Sequence, residues 1–421
     1  MGILLLGGKP VLTSPDGKLI ETPNSDGSSE PTEEILPGDI TFYDYDGTVV
    51  AAWSLSELNS KTALPDAPSH DGLVFQDWNW TLADLKDQNT QMNVGAMYTT
   101  TDGKTRIYVH LEESLTSPMI GLNVNGTVIV DWGDGSTPDT LSGTSIRTIE
   151  WTPVHNYESA GDYVITFAVN GQCAFTASGG GQRDSTRLLR YSKSSHGWNC
   201  AYANAIKKVH LGDNIVLENY AFSHCHSLTE ISISSDTVMS KGYIFYFDMS
   251  LRYVTIPSGI SAITSYEFYS CVSLLEISIP KSITKIGSSV FYMCYALKNA
   301  FLPNQITRID ASSFYYTASL SKLIIPAKVT TIDRYLCFNA WAIISIVCRG
   351  SISSIAANAF GNCYGTKFYD FSNCMAVPTL ADTDAFINMA NDCEIRVPAA
   401  LLDEWKAAAN WSTYANHIVA T

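Results

Sequence analysis

The sequence predicts a mainly β chain. Its second half is a solenoid of 23-residue coils, preceded by a β-sandwich and a small β-rich unit. Three observations predict this. Phe222, Phe245, Phe268, Phe291, Phe314, Cys337 and Phe360 follow one another at intervals of 23 residues. Between residues 113 and 178, short apolar runs (GLNVNGTVIV, IRTIEW, GDYVITFAVNG) are separated by Gly, Asp and Asn turn signals. Charged residues make up only 16% of the 421, which suits a β-rich extracellular or virion protein better than a helical cytosolic one.

Every coil repeats further columns. Six residues after the aromatic position stand Leu228, Leu251, Leu274, Leu297, Leu320, Ile343 and Thr366. Strand-like pairs follow: Ile231/Ile233, Val254/Ile256, Ile277/Ile279, Ala300/Leu302, Leu323/Ile325, Ile346/Cys348 and Tyr369/Phe371. Pro257, Pro280, Pro303 and Pro326 end four of them. A second pair comes later in the coil, as in Ile260/Ile263 and Ile283/Ile286. One coil cannot bury its own apolar side, but stacked coils bury a continuous core. Their strands are expected to pair in a parallel sheet at about 4.8 Å spacing.

These columns resemble the BspA-like leucine-rich repeats of bacterial and phage surface proteins, over residues 206–371. The resemblance implies adhesion or recognition of a protein or glycan, without catalysis. The end of the chain, from Cys393 to Thr421, resembles the segment that closes such proteins, with a strand and a helix near Ala399–Ala409 as a cap.

The preceding segments read as separate parts. Residues 1–40 are rich in Pro, Gly, Ser, Asp and Glu and are expected to be a flexible arm. Residues 41–112 form a small β-rich unit, with a hairpin at Asp46-Gly47 and a short helix opening near Thr81. Residues 113–178 are the sandwich. The pieces Val130-Asp131-Trp132-Gly133-Asp134-Gly135-Ser136, His155-Asn156-Tyr157 and Gly161-Asp162-Tyr163-Val164 resemble the PKD-type immunoglobulin-like module, which implies a spacer or interaction domain. A linker at 179–199, the solenoid at 200–380 and the cap at 381–421 complete the order. Residues 41–85 resemble units that precede repeats in gut phage and prophage structural proteins.

The formal charge of −15 and the lack of a dense basic run argue against nucleic acid. No stretch reaches the roughly 20 apolar residues of a membrane span. Ile3–Leu6 is too short for the apolar core of a signal peptide. Ten cysteines include no CxxC pair, and Cys225, Cys271, Cys294 and Cys363 share one column with Asp248, Thr317 and Ala340. Such a linear ladder suits buried thiols rather than a metal site. No cofactor, metal or catalytic residue is expected.

Three motifs bear on an enzymatic or metal role. The run Asp44-Tyr45-Asp46-Gly47-Thr48 matches the DxDGT signature of haloacid-dehalogenase-type phosphatases, but no α/β domain follows it. Asp131 and Asp134 could present oxygens to calcium, although turn-stabilising Asp is the commoner role. His155, His196, His210, His224 and His226 have no partner at a recognisable catalytic spacing.

Two surfaces are expected to bind. Tyr246, Tyr269, Tyr292, Tyr315 and Phe338 recur once per coil, as do Tyr243 and Tyr266. They form an aromatic ladder, either exposed for a ligand or packed between coils. Outward strand positions Glu230, Tyr253, Glu276, Asn299, Phe301, Lys322 and Ile324 make a second, chemically mixed face. The expected function is that of a phage tail or head fibre that attaches to a host-surface protein or glycan, joined to other virion proteins through its arm. The alternative is a bacterial surface adhesin. A homo-oligomer would suit a fibre, although no coiled-coil heptad supports one.

Overall fold

A computed structural model describes residues 3–6, 9–12, 38–151, 155–175, 188–190, 201–239 and 241–421. The chain divides into two units, Met1–Leu36 and Pro37–Thr421. In the first, β1 (Ile3–Leu6) and β2 (Lys9–Leu12) pair antiparallel, Ile3 opposite Leu12. The start of the expected flexible arm thus holds two paired strands. Residues 13–37 of that arm lie outside the described residues.

The second unit opens with a four-stranded sheet. Its strands are β3 (Ile40–Tyr43), β4 (Val49–Trp53), β5 (Leu73–Trp78) and β6 (Met92–Thr100), in the order β4-β3-β6-β5. The short helix α1 (Leu55–Leu58) begins with a capping box between Ser54 and Glu57. Helix α2 (Leu82–Gln88) is capped by Thr81, whose hydroxyl accepts from the Asp84 N–H at 3.1 Å. Phe42, Trp78, Trp80, Leu85 and Val94 are buried between the helices and the sheet.

The next strands are β7 (Thr105–Leu111), β8 (Met119–Asp131), β9 (Asp139–Trp151) and β10 (Gly161–Phe175). Strand β8 lies between β9 and β10. On its other side β10 pairs with β7, and β7 pairs with β11 (Ile206–His210), which pairs in parallel with Glu230–Ser232 of the solenoid. The sheet therefore runs unbroken into the repeats. The boundary expected at 112–113 falls between strands of this one sheet, because the edge of β7 is covered by the first solenoid strand. Of the expected linker at 179–199, only 188–190 are described.

Across the solenoid, about nine turns over residues 208–420, the columns face inward as their periodicity requires. Phe222, Phe245, Phe268, Phe291 and Phe314 are buried and stack from coil to coil, with centroids 5.3–6.1 Å apart. Strand pairing is parallel and in register, as in Tyr253↔Glu276 and Lys322↔Ser345. Each Pro carbonyl at a strand end accepts from the N–H three residues on, at 3.0–3.2 Å, which fixes the turn there. The ladder thiols of Cys271, Cys294 and Cys363 donate to carbonyls of the preceding coil at 3.0–3.1 Å. All nine described cysteines are buried. The pairing continues past residue 380: Phe368–Asp370 pairs with Glu394–Val397, and that with Ile418–Ala420. The closing helix is Leu402–Ala407, which buries Trp405.

Each coil also turns through two left-handed residues, two before and two after the Phe column. They are Tyr243 and Phe247 in one coil, Tyr266 and Ser270 in the next, and Tyr335 and Asn339 further on, all with φ near +60°. The neighbouring coil satisfies the turn: Phe247 N–H donates to Tyr269 O at 2.8 Å and Ser270 N–H to Tyr292 O at 2.7 Å.

One charged residue stands in the column before Phe. Glu267 is buried where Ile244 and Val290 stand in adjacent coils. Its Oε2 accepts from Thr264 Oγ1 at 2.5 Å, and Oε1 has no hydrogen-bond partner. Burial pushes its carboxyl up to about 8, against the pull of Thr264. The folded state then holds a proton that the unfolded chain releases near pH 4.5. Its contribution to stability is complete below that value and is lost as pH rises towards about 8. Melting temperature is expected to fall over this window, and Glu267→Gln to flatten the fall. A variant with the same slope as the parent would refute this.

Candidate functional site

The turn side of the solenoid carries the aromatic residues singled out in the sequence. Tyr246, Tyr269, Tyr292, Tyr315 and Phe338 stack in a column, with centroids 4.6–5.4 Å apart and planes within 22° of parallel. Tyr243 and Tyr266 stack beside it at 4.7 Å and 9°. The two columns touch through Tyr243–Tyr246 and Tyr266–Tyr269. Most of these rings are half-buried, and Tyr246 is buried. Their faces are taken up by one another, so solvent meets mainly ring edges and hydroxyls. Burial, and the neighbouring Tyr292, Tyr246 and Tyr266, push the Tyr269 hydroxyl up to about 12. The column is a spine between coils as much as a surface.

It changes character at the C-terminal coils. Gly361 takes the ring position after Phe338, and a β-carbon there would lie 2.5 Å from the Phe338 ring. Exposed apolar residues of these coils are Trp341 at 42%, Ile344 at 54%, Tyr364 at 55% and Ile387 at 41% exposure. Beside Tyr364 and Ile387 runs a ladder of amides. Asn362 Nδ2 donates to Asn339 Oδ1, and Asn388 Nδ2 to Asn362 Oδ1, each at 2.7 Å. All three asparagines are left-handed, a conformation their side chains tolerate well. Trp341 meets Tyr316 edge-on at 5.9 Å. Sequence reasoning missed this patch, although Trp341 and Tyr364 are themselves 23 residues apart.

The second predicted surface is differently placed. Tyr253, expected to point outward to a ligand, is buried and stacks on Tyr43 at 5.1 Å. Glu276 accepts from Asn93 Nδ2 at 3.0 Å and Asn299 Nδ2 at 2.9 Å, and Phe301 packs against the core of the β3–β6 unit. Glu230 pairs with Lys208 at 2.9 Å. Only Lys322 is exposed, with Ile324 half-buried. The reason is that the β3–β6 unit lies on this face. Asn79 Nδ2 donates to Ile256 O at 3.0 Å, Ser278 Oγ to Asn93 O at 2.7 Å, and Trp80 Nε1 to Ile279 O at 3.0 Å. The approach is closest at Gly95, where a β-carbon would meet Thr255 Oγ1 at 2.1 Å.

The DYDGT run is a hairpin loop. Asp44 N–H donates to Thr48 O at 2.8 Å, and the buried Asp44 carboxylate meets His70 Nε2 at 2.7 Å. Burial lifts its carboxyl above the usual value, against the Tyr45 N–H and His70. In the 131–136 loop, Trp132 is buried and stacks on His155 at 4.4 Å, and Tyr157 OH donates to Trp132 O at 2.9 Å. Burial opposes ionisation of Asp134, but Ser136 and His155 hold it at about 2. Its oxygens are thus engaged within the loop. No group of three or more His, Cys, Asp and Glu placed to hold a metal occurs among the described residues. His210 contacts Ser232 Oγ at 2.9 Å, and burial, Lys208 and Arg106 hold it at about 3, so it stays neutral. Both members of that pair are buried, which keeps them from any substrate. His196 lies outside the described residues.

The BspA type leucine rich repeat region matches residues 191–271 and 239–367 in six copies. Residues 191–367 are thus similar to leucine-rich repeats of the BspA type. No curated protein matches the chain. Among solved structures, a Treponema pallidum leucine rich repeat protein is 18% identical, covering 39% of this chain and 74% of its own, with a TM-score of 0.32. The pneumococcal vaccine antigen PcpA is 16% identical, with 49% and 57% covered and a TM-score of 0.38. A leucine rich cell surface protein of Faecalibacterium prausnitzii is 18% identical, with 55% and 86% covered and a TM-score of 0.31. The chain spans less than two thirds of the pneumococcal antigen. No helix among the described residues is long and apolar enough to cross a membrane.

Proposed function

We propose that this chain is a surface-displayed recognition protein that binds a protein or glycan without chemical change, through the turn side of its C-terminal coils. The observation that carries this is the exposure of Trp341, Tyr364 and Ile387 beside the asparagine ladder. Large aromatic side chains on a rigid frame offer contact area at little entropic cost, and the amides offer polar contacts. The β3–β6 unit covers much of the strand face, which leaves the turn side as the open one. The 113–178 module, with its PKD-like loop, serves as a spacer in this reading.

Trp341→Ala and Tyr364→Ala are each expected to weaken attachment to the target cell by about tenfold or more, the range of an interface hot spot. Circular dichroism should stay unchanged. Full attachment by the double variant would sink the assignment.

The setting is a separate matter. The 41–85 segment favours a phage tail or head fibre, while the BspA-type repeats suit a bacterial envelope adhesin equally. Immunogold labelling with antibody to 206–371 separates them. Label on virions supports the fibre, and label on envelopes with clean virions supports the adhesin.

A further inference from the structure

The β3–β6 unit stops short of the C-terminal end of the strand face. Where it ends, Thr90 and Gln91 meet Asn299, Phe301, Lys322 and Arg349 around a cleft of about 240 Å³. No carboxylate lines it, and its two charges are cations. Among the described residues neither Lys322 nor Arg349 forms an ion pair, whereas Lys208, Lys281 and Arg396 on the strand side are paired with Glu230, Asp84 and Glu394. In a chain of net charge −15, this is a local reversal of sign.

Arg349 is held in place. Its Nη2 donates to Thr90 Oγ1 at 2.7 Å, and Thr90 is buried. The guanidinium thus spans the seam between the β3–β6 unit and the solenoid, with its other N–H groups left for a carboxylate. Asn299 Nδ2 is committed to Glu276, and Gln91 Nε2 to Asp39 at 3.3 Å, so both amide oxygens remain as acceptors. Phe301, half-buried, contributes an aromatic wall.

We infer that this cleft binds an acidic sugar, a pyranose bearing a carboxylate. The carboxylate lies on Lys322 and Arg349, hydroxyls donate to Asn299 Oδ1 and Gln91 Oε1, and the ring's apolar side lies on Phe301. The volume fits one ring and falls below the roughly 300 Å³ at which pockets for larger ligands begin, so an extended peptide is disfavoured. The site is independent of the turn-side patch and stands if that reading fails.

The test is calorimetric titration of the full chain with D-glucuronate, D-glucose and N-acetyl-L-glutamate. Glucuronate is expected to bind at least about tenfold more tightly than glucose, as two charge-assisted contacts require. Lys322→Gln should cost about tenfold, and added salt should weaken binding. Lys322 is exposed, so this variant tests the site without loss of fold; Arg349→Gln is read only where its melting temperature matches the parent. Equal binding of glucose would overturn the proposal. So would N-acetylglutamate binding as tightly as glucuronate, or no glucuronate binding by about 50 mM.

Discussion

Replacement of Phe268 by Ala is expected to lower the unfolding free energy by about 3–5 kcal/mol, the cost of emptying a well-packed aromatic site. Phe268 is fully buried and stacks on Phe245 and Phe291 at 5.4 and 5.9 Å. Its backbone is committed too, since its N–H donates to Val290 O and its carbonyl accepts from the Cys271 N–H, each at 3.1 Å. Neighbouring coils are therefore unable to collapse into the hole without giving up hydrogen bonds. Because each coil contacts only its neighbours along the stack, the damage should be local. Hydrogen exchange is expected to rise over residues 245–294 and to stay low over 345–397. Phe268→Leu should recover most of the loss. A uniform rise across the whole solenoid would show that the coils unfold as one block.

Trp80→Ala is expected to cost a similar amount, about 3–5 kcal/mol, but through a different failure. Trp80 is 1% exposed, part of the core of the β3–β6 unit, and its indole N–H reaches Ile279 O across to the solenoid. The substitution removes both the packing and that bond, leaving a carbonyl to find water. Thermal unfolding is expected to split in two, with β6 losing protection first and strands 322–348 retaining it. A single transition, merely shifted down, would mean that the unit and the solenoid form one cooperative body.

The repeats were legible because a stack of coils writes its contacts into the sequence at a fixed interval. Phe268 and Phe291 touch because they are 23 residues apart, and the interval is visible without a structure. The strand face was legible as a list of outward positions but not as to its occupant. Asn79 and Ser278 meet across a separation of 199 residues, with no periodic trace of the contact. A face built to receive Tyr43, Asn93 and Trp80 has the same mixture of polar and apolar residues as one built for a foreign ligand. Tyr253 and Glu276 were read as open to a ligand, whereas Tyr43 and Asn93 of the β3–β6 unit occupy them. The acidic-sugar cleft escaped for the same reason. Lys322 was singled out, but Thr90 and Gln91 reach it only through the docking of another part of the chain.

The left-handed turns make the coils unequal although their columns match. From residue 339 onward the coils take their left-handed turns at Asn339, Asn358, Asn362 and Asn388, residues that accept that backbone readily. In the first coils they are Tyr220, His224, Tyr243, Phe247 and Tyr266. For bulky side chains that backbone is unfavourable, and the cost is met by the stacked rings of the next coil. One end of the solenoid thus carries its bends in its own residues, and the other borrows them from its neighbours. A coil cut from the asparagine end could serve elsewhere as a spare part; a coil cut from the tyrosine end is a shape only in company.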